Sequence, residues 1–155
     1  MKTRFLWVGR AKESGLATAV DTYRERLSHY CSIEVTQLKN QKGSGDPKLL
    51  KKREAEKFLA AIERQDYVVL LDEGGRQMSS IGVSELLQSH QNRSTPRLVF
   101  AVGGAYGFDE SMRQRADFIW SLSQLTLTHD MARVLVMEQI YRGFTILRGE
   151  KYHNP

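Results

Sequence analysis

Three stretches of the last third of the chain carry residue types that could do chemistry. An apolar run, Leu98-Val99-Phe100-Ala101-Val102, ends in Gly103-Gly104, with Gly107 close behind. Glycines at a strand end let a ligand touch bare backbone, although a plain tight turn would read the same way. A second stretch, Ser121 to Thr128, interleaves the hydroxyls of Ser123 and Thr126 with Leu122, Leu125 and Leu127. That alternation suits a flat heterocycle between apolar walls and polar edges. A strand end followed by a helix cap is the competing reading. The third stretch follows a long apolar helix and holds Arg142, Arg148, Lys151, Tyr152 and His153. Cations neutralise phosphates and flat rings stack on unstacked bases, so this tail could meet RNA, or it could simply fray.

The elements that must position these residues alternate along the chain. Strands are expected at Arg4–Val8, Ile33–Leu38, Tyr67–Leu71, Leu98–Val102 and Phe118–Leu122. Helices are expected near Gly15–Ser28, Pro47–Arg64, Ile81–Gln91, Glu110–Ala116 and Thr128–Ile146. Such alternation predicts an α/β fold, a mostly parallel sheet flanked by helices. Asp46 before Pro47, then Ser80, Asp109 and Thr128, are the expected helix caps. The segment Lys39–Gly45 reads as a polar, solvated loop whose lysines could also meet a polyanion. In an open parallel sheet, ligands gather outside the carboxyl ends of the strands. Leu71 before Asp72-Glu73-Gly74-Gly75, Gly103, and the Leu122–Leu127 run would meet there.

Composition narrows the function classes. The 155 residues are expected to form one domain, large enough to bury roughly 68–70% of the unfolded surface. A formal charge of +5, from 23 Lys+Arg against 18 Asp+Glu, favours polyanionic partners. The single Cys31 excludes an intrachain disulfide and a multi-cysteine zinc site, and it reads as a small apolar residue. The four histidines lack metal-ligand spacing, so no metal is expected. No apolar run approaches a membrane span or a signal peptide, which points to a cytoplasmic protein. The last helix, with Met131, Ala132, Val134, Leu135, Val136, Met137, Ile140, Tyr141, Phe144 and Ile146, has no wide polar face. It is expected to lie between the sheet and a second copy of the chain, in a homodimer.

At these residues the chain resembles the bacterial large-subunit ribosomal RNA pseudouridine N3-methyltransferases of the SPOUT superfamily. The resemblance rests on Phe100-Ala101-Val102-Gly103-Gly104 with Gly107, and on Leu122-Ser123-Gln124-Leu125-Thr126-Leu127-Thr128-His129. It continues through Arg133-Val134-Leu135, Glu138-Gln139-Ile140-Tyr141-Arg142 and Tyr152-His153. Weaker matches lie upstream at Val8-Gly9, Tyr23, Arg26-Leu27, Leu71-Asp72 and Gly75-Arg76.

The resemblance implies a C-terminal trefoil knot, a homodimer, and S-adenosylmethionine as methyl donor. It also implies methylation of N3 of a pseudouridine in an RNA stem-loop on assembled ribosomes. Carried over by position, Leu71, Gly103, Gly104, Leu122, Ser123, Gln124, Leu125, Thr126 and Leu127 would hold the donor. Arg142 would stabilise the deprotonated acceptor nitrogen, with Tyr152 or His153 relaying a proton or clamping the base, in cis or from a partner subunit. Relatives often carry proline at Thr128, and a basic residue after the Tyr-His pair where this chain has Asn154-Pro155. Two other classes share parts of the pattern. A nicotinamide-dependent oxidoreductase would need a glycine fingerprint after an early strand, and Val8-Gly9-Arg10 is too glycine-poor. A non-catalytic ribosome-binding or assembly factor would need only the basic tail.

Overall fold

The computed structural model describes residues 1–40, 45–104 and 106–154. Gln41 to Ser44 of the expected polar loop, Ala105 of the glycine turn and the final Pro155 lie outside the described residues. Among the described residues, five strands alternate with five helices: β1 Lys2–Val8, α1 Ser14–Ser28, β2 Ser32–Leu38, α2 Pro47–Ala61, β3 Tyr67–Gln77, α3 Ser80–Asn92, β4 Arg97–Val102, α4 Glu110–Arg115, β5 Phe118–Ser121 and α5 His129–Leu147. The sheet order is β2-β1-β4-β3-β5, and every pairing is parallel.

The central strands are apolar on both faces because both faces are covered. On one side Phe5, Trp7, Val69, Phe100 and Trp120 pack against Val20 and Leu27 of α1, Val83 and Leu87 of α3, and Val136, Met137, Ile140 and Phe144 of α5. On the other, Leu6, Val68, Leu70, Val99 and Ala101 meet Ala55 and Phe58 of α2, Met112 of α4, and Phe108. The crossovers toward one edge of the sheet (α1, α3) thus share a face, and those toward the other edge (α2, α4) share the opposite one. Uniformly right-handed crossovers require this arrangement.

Several sequence expectations need correction. The strand at Leu71 does not stop there. It bulges, so that Leu71 and Arg76 both face Trp120, and then continues to Gln77. Gly75 permits the bulge, since a Cβ there would lie 2.5 Å from the Ile119 carbonyl oxygen. Helix α2 ends at Ala61 rather than Arg64, because the Asp66 carboxylate takes the Glu63 N–H and Arg115 binds the carbonyls of Glu63 and Asp66. Ser79, not Ser80, caps α3 by accepting the Gly82 N–H at 3.0 Å. Asp46, Asp109 and Thr128 cap as expected.

Helix α5 lies between α1 and α3, and this accounts for much of its apolar coverage within a single chain. Gly143 makes the α3 contact close, since a Cβ there would approach a Leu87 methyl to 2.8 Å. Met131, Leu135 and Ile146 are the apolar α5 positions that join neither core cluster, and Met131 is 40% exposed. Among the described residues, no helix is long and apolar enough to cross a membrane. Cys31 is half-buried beside Thr3, and burial raises its thiol pKa, as befits a packing residue.

Candidate functional site

The carboxyl ends of β4, β3 and β5 are neighbours in the sheet, and a cleft of about 890 Å³ opens above them. Leu71, Gly103, Gly104, Leu122, Ser123, Leu125, Thr126 and Leu127 all line it. Eight of the nine positions expected to hold a donor therefore converge on one cavity. Gln124 is the exception: it is exposed and is not among the lining residues.

Local bonding shapes the walls. The turn after β4 closes through the Gly107 N–H to the Gly104 carbonyl, with Gly107 at φ +76°. A Cβ on Gly103 would press on the Phe108 ring at 3.1 Å, and one on Gly104 would meet the Glu54 carboxylate at 3.0 Å. Both glycines are therefore held close from behind and leave backbone toward the cleft. Opposite them, the Ser123 hydroxyl accepts the Leu125 N–H at 3.0 Å while the Ser123 carbonyl accepts from Ser121. This bent segment leaves Leu125 71% exposed within the cleft lining. The Thr126 hydroxyl donates to Glu73 at 3.1 Å, tying the segment to the β3 bulge.

Sequence reasoning missed some of the lining. Asp72 pairs with Arg113 at 2.9 Å across the cleft, and Lys51 of α2, Tyr106, Phe108, Asp109 and Glu110 complete the walls. Asp72 adjoins the expected strand end, so adjacency could have found it. Arg113 and Lys51 enter only through the sheet order. His129 and Ala132 of α5 form the remaining wall. Burial, then the Arg133 charge, lowers the His129 pKa.

Beneath His129 lies a buried polar lock. Arg133 is 1% exposed, donates to the carbonyls of Val8 at 2.6 Å and Gly9 at 3.2 Å, and stacks 5.0 Å over the Trp7 ring. Asp130 lies 3.7 Å from the guanidinium and accepts the Lys12 N–H at 2.9 Å. Together they fix the β1–α1 loop to the first turn of α5.

The tail residues gather elsewhere. Ten positions separate Ala132 from Arg142 on α5, about 15 Å along the axis at 1.5 Å per residue. There Glu138 Oε1 accepts Arg142 Nε at 3.0 Å, Arg142 Nη2 at 2.5 Å and the Tyr152 hydroxyl at 3.0 Å. The guanidinium stacks 4.6 Å over Tyr152, and Tyr141 meets that ring edge-on at 4.8 Å. Arg142 Nη1 sits 3.3 Å from His153 Nδ1. A guanidinium can only donate, so His153 accepts at Nδ1 and, as a neutral ring, carries its proton on Nε2. Burial, then hydrogen bonds with Tyr23 and Glu138, drives the Tyr152 phenol far above its usual pKa. In this arrangement His153 presents an Nε2–H donor while the Tyr152 O–H is committed to Glu138, which suits clamping a base and not removing its proton. Within one chain, the cleft and this cationic cluster are two places.

A family model described as "Predicted SPOUT methyltransferase" matches residues 1–153. The protein named "Ribosomal RNA large subunit methyltransferase H" from Geotalea daltonii is 40% identical over 154 residues, spanning 99% of this chain and 100% of that one. Its namesake from Syntrophotalea carbinolica is 42% identical over 155 residues, spanning 99% of each. Among solved structures, a probable methylase family protein from Haemophilus influenzae superposes with a TM-score of 0.54 at 12% identity, over 99% of this chain and 70% of the other. That likeness concerns the fold alone.

Proposed function

The chain belongs to the SPOUT methyltransferase family, and from that premise we propose that it methylates N3 of a pseudouridine in large-subunit ribosomal RNA with S-adenosylmethionine as donor. The substrate class follows from relatives at about 40% identity over their whole length, which bear the name of a large-subunit ribosomal RNA methyltransferase. One observation carries the reading: the glycine turn, the β3 bulge at Leu71 and the Leu122–Leu127 segment form one cleft at the carboxyl edge of the sheet.

The lining fits the donor. Leu71, Leu122, Leu125 and Leu127 supply apolar walls for a purine, and backbone at Gly103 and Gly104 supplies edge contacts. The paired Asp72 and Arg113 offer both charge signs for an amino-acid end. The bound sulfonium supplies a methyl group already activated for transfer. The protein's part is then to orient the acceptor and stabilise its anion. An imide nitrogen attacks well only after losing its proton, here to solvent water, and a permanently charged guanidinium favours the resulting anion. Arg142 is assigned this role, with Tyr152 and the His153 Nε2–H clamping the base. A base held in a stem-loop must leave its stack to reach them.

The separation between cleft and cluster makes a second copy part of the proposal. Antiparallel α5 helices centred between Leu135 and Glu138 would set Arg142 of the partner subunit opposite Met131, within a turn of His129 and Ala132 in the cleft wall. Met131, Leu135 and Ile146 would then be covered. A homodimer of single domains, residues 1–155, with trefoil-knotted C-terminal parts and acting on ribosomes in the cytoplasm, completes the reading. The test is calorimetry with S-adenosylmethionine, followed by transfer of labelled methyl to purified ribosomes and mass mapping of the RNA. Label at N3 of one pseudouridine is expected. Ribosome binding without label would favour a non-catalytic assembly factor.

A further inference from the structure

Glu138 stands one turn before Arg142 on α5, and its side chain is only 15% exposed. Both of its carboxylate oxygens are used. Oε1 gathers Arg142 Nε, Arg142 Nη2 and the Tyr152 hydroxyl, three donors on one atom. Oε2 accepts Gln139 Nε2 at 2.8 Å, and Gln139 Oε1 in turn accepts the Ser80 hydroxyl at 2.7 Å. A hydrogen-bonded chain thus runs from the first residue of α3 through Gln139 and Glu138 to the two tail groups.

Each bond constrains a freedom the tail would otherwise have. An arginine side chain has several soft torsions, and a segment beyond a helix end frays unless tied down. Here Glu138 takes the Nε/Nη2 edge of the guanidinium and leaves Nη1 facing His153. The same oxygen brings Tyr152 back onto α5, where Arg142 stacks over its ring and Tyr141 meets it edge-on. A carboxylate that touches no reactant thereby sets the position of two groups that do.

We propose that Glu138 is the positioning residue of the methyl-acceptor half of the site. It fixes which edge of Arg142 meets the acceptor base and anchors Tyr152-His153 against α5. The Ser80–Gln139 link fixes the carboxylate itself. This rests on the assignment of Arg142 to the acceptor, and its test must be separable from that assignment.

The test compares Glu138→Ala and Glu138→Gln with Arg142→Ala in the full-length protein. Three quantities are read: affinity for S-adenosylmethionine by calorimetry, single-turnover methyl transfer to ribosomes, and amide exchange of residues 149–154 by mass spectrometry. Misplacing reactive groups by about 1 Å costs on the order of 100-fold, so Glu138→Ala is expected to slow transfer by about that factor with donor affinity unchanged. Its tail amides should exchange faster. Glu138→Gln retains an oxygen acceptor for Arg142 and Tyr152 and should recover transfer to within about tenfold of wild type. Wild-type transfer and tail protection in Glu138→Ala, beside an inactive Arg142→Ala, would overturn the proposal and leave the assignment of Arg142 standing. Loss of donor binding in both Glu138 variants would also overturn it, making the residue one that maintains the fold. Full transfer by Arg142→Ala would sink the underlying assignment instead, and the tail-exchange comparison would still decide whether Glu138 anchors the tail.

Discussion

Replacing Arg133 by Met removes the guanidinium while keeping a long apolar stem over Trp7. The wild-type group is 1% exposed, so solvent does not screen its interactions. The substitution strands the carbonyls of Val8 and Gly9 and leaves Asp130, 6% exposed, with the Lys12 N–H and a His129 contact at 3.6 Å. Breaking a buried ion pair by deleting one partner costs about 3–5 kcal/mol, because the remaining charge stays buried. With an m-value of about 2 kcal/mol/M in urea, the unfolding midpoint should fall by about 1.5–2.5 M. Adding Asp130→Asn removes the stranded charge and should restore roughly half of that loss. The Arg133 charge also depresses His129, second to burial, so the His129 pKa should rise in Arg133→Met by NMR titration. A midpoint shift under about 0.5 M would refute the reasoning. It would mean that the lock is relaxed in solution and does not hold the cleft wall.

Other outcomes follow from the same geometry. His90 is fully buried against Tyr67 at 4.2 Å, and burial, then Arg93, lowers its pKa. A depressed histidine stabilises the fold above its unfolded pKa, near 6.5, and this stabilisation is lost as pH falls through the folded value. His90→Phe should therefore flatten the stability–pH slope between about pH 7 and 5, by at most about 1.4 kcal/mol per pH unit; an unchanged slope in urea titrations would contradict this. Leu135→Glu places charge in the centre of the outward α5 stripe. It should yield monomers in sedimentation that bind the donor but do not methylate, whereas an active monomer would dismiss the two-copy site.

The parallel sheet was legible because the strands carry short apolar or β-branched runs, and four of the helices (α2 to α5) begin at a side-chain cap. The cleft was legible for a related reason: Gly103 and Leu122–Leu127 follow strands, Leu71 ends the apolar run of β3 at its bulge, and these places share one edge of the sheet. Four features were not. The β3 bulge depends on Gly75 meeting the Ile119 backbone, a contact between segments more than forty residues apart. Arg113 and Lys51 reach the cleft only because α4 and α2 lie on the same face. The apolar girth of α5 pointed to a second copy, yet α1 and α3 cover most of it, leaving only Met131, Leu135 and Ile146 uncommitted. Arg142 stood out as a cation beside aromatics, but nothing in its spacing showed that the cleft lies about 15 Å away along the same helix.

That separation makes complementation between protomers the most direct measurement. Arg142→Ala retains the cleft and loses the cation, while Thr126→Trp sets an indole at an exposed position of the cleft lining and retains the cation. Each should be inactive alone. Co-expressed in equal amounts, half of the dimers would be mixed, and each would hold one complete site. The mixture should then methylate ribosomes at about one quarter of the wild-type rate. No activity in a mixture shown by native mass spectrometry to contain mixed dimers would contradict a site built from two chains.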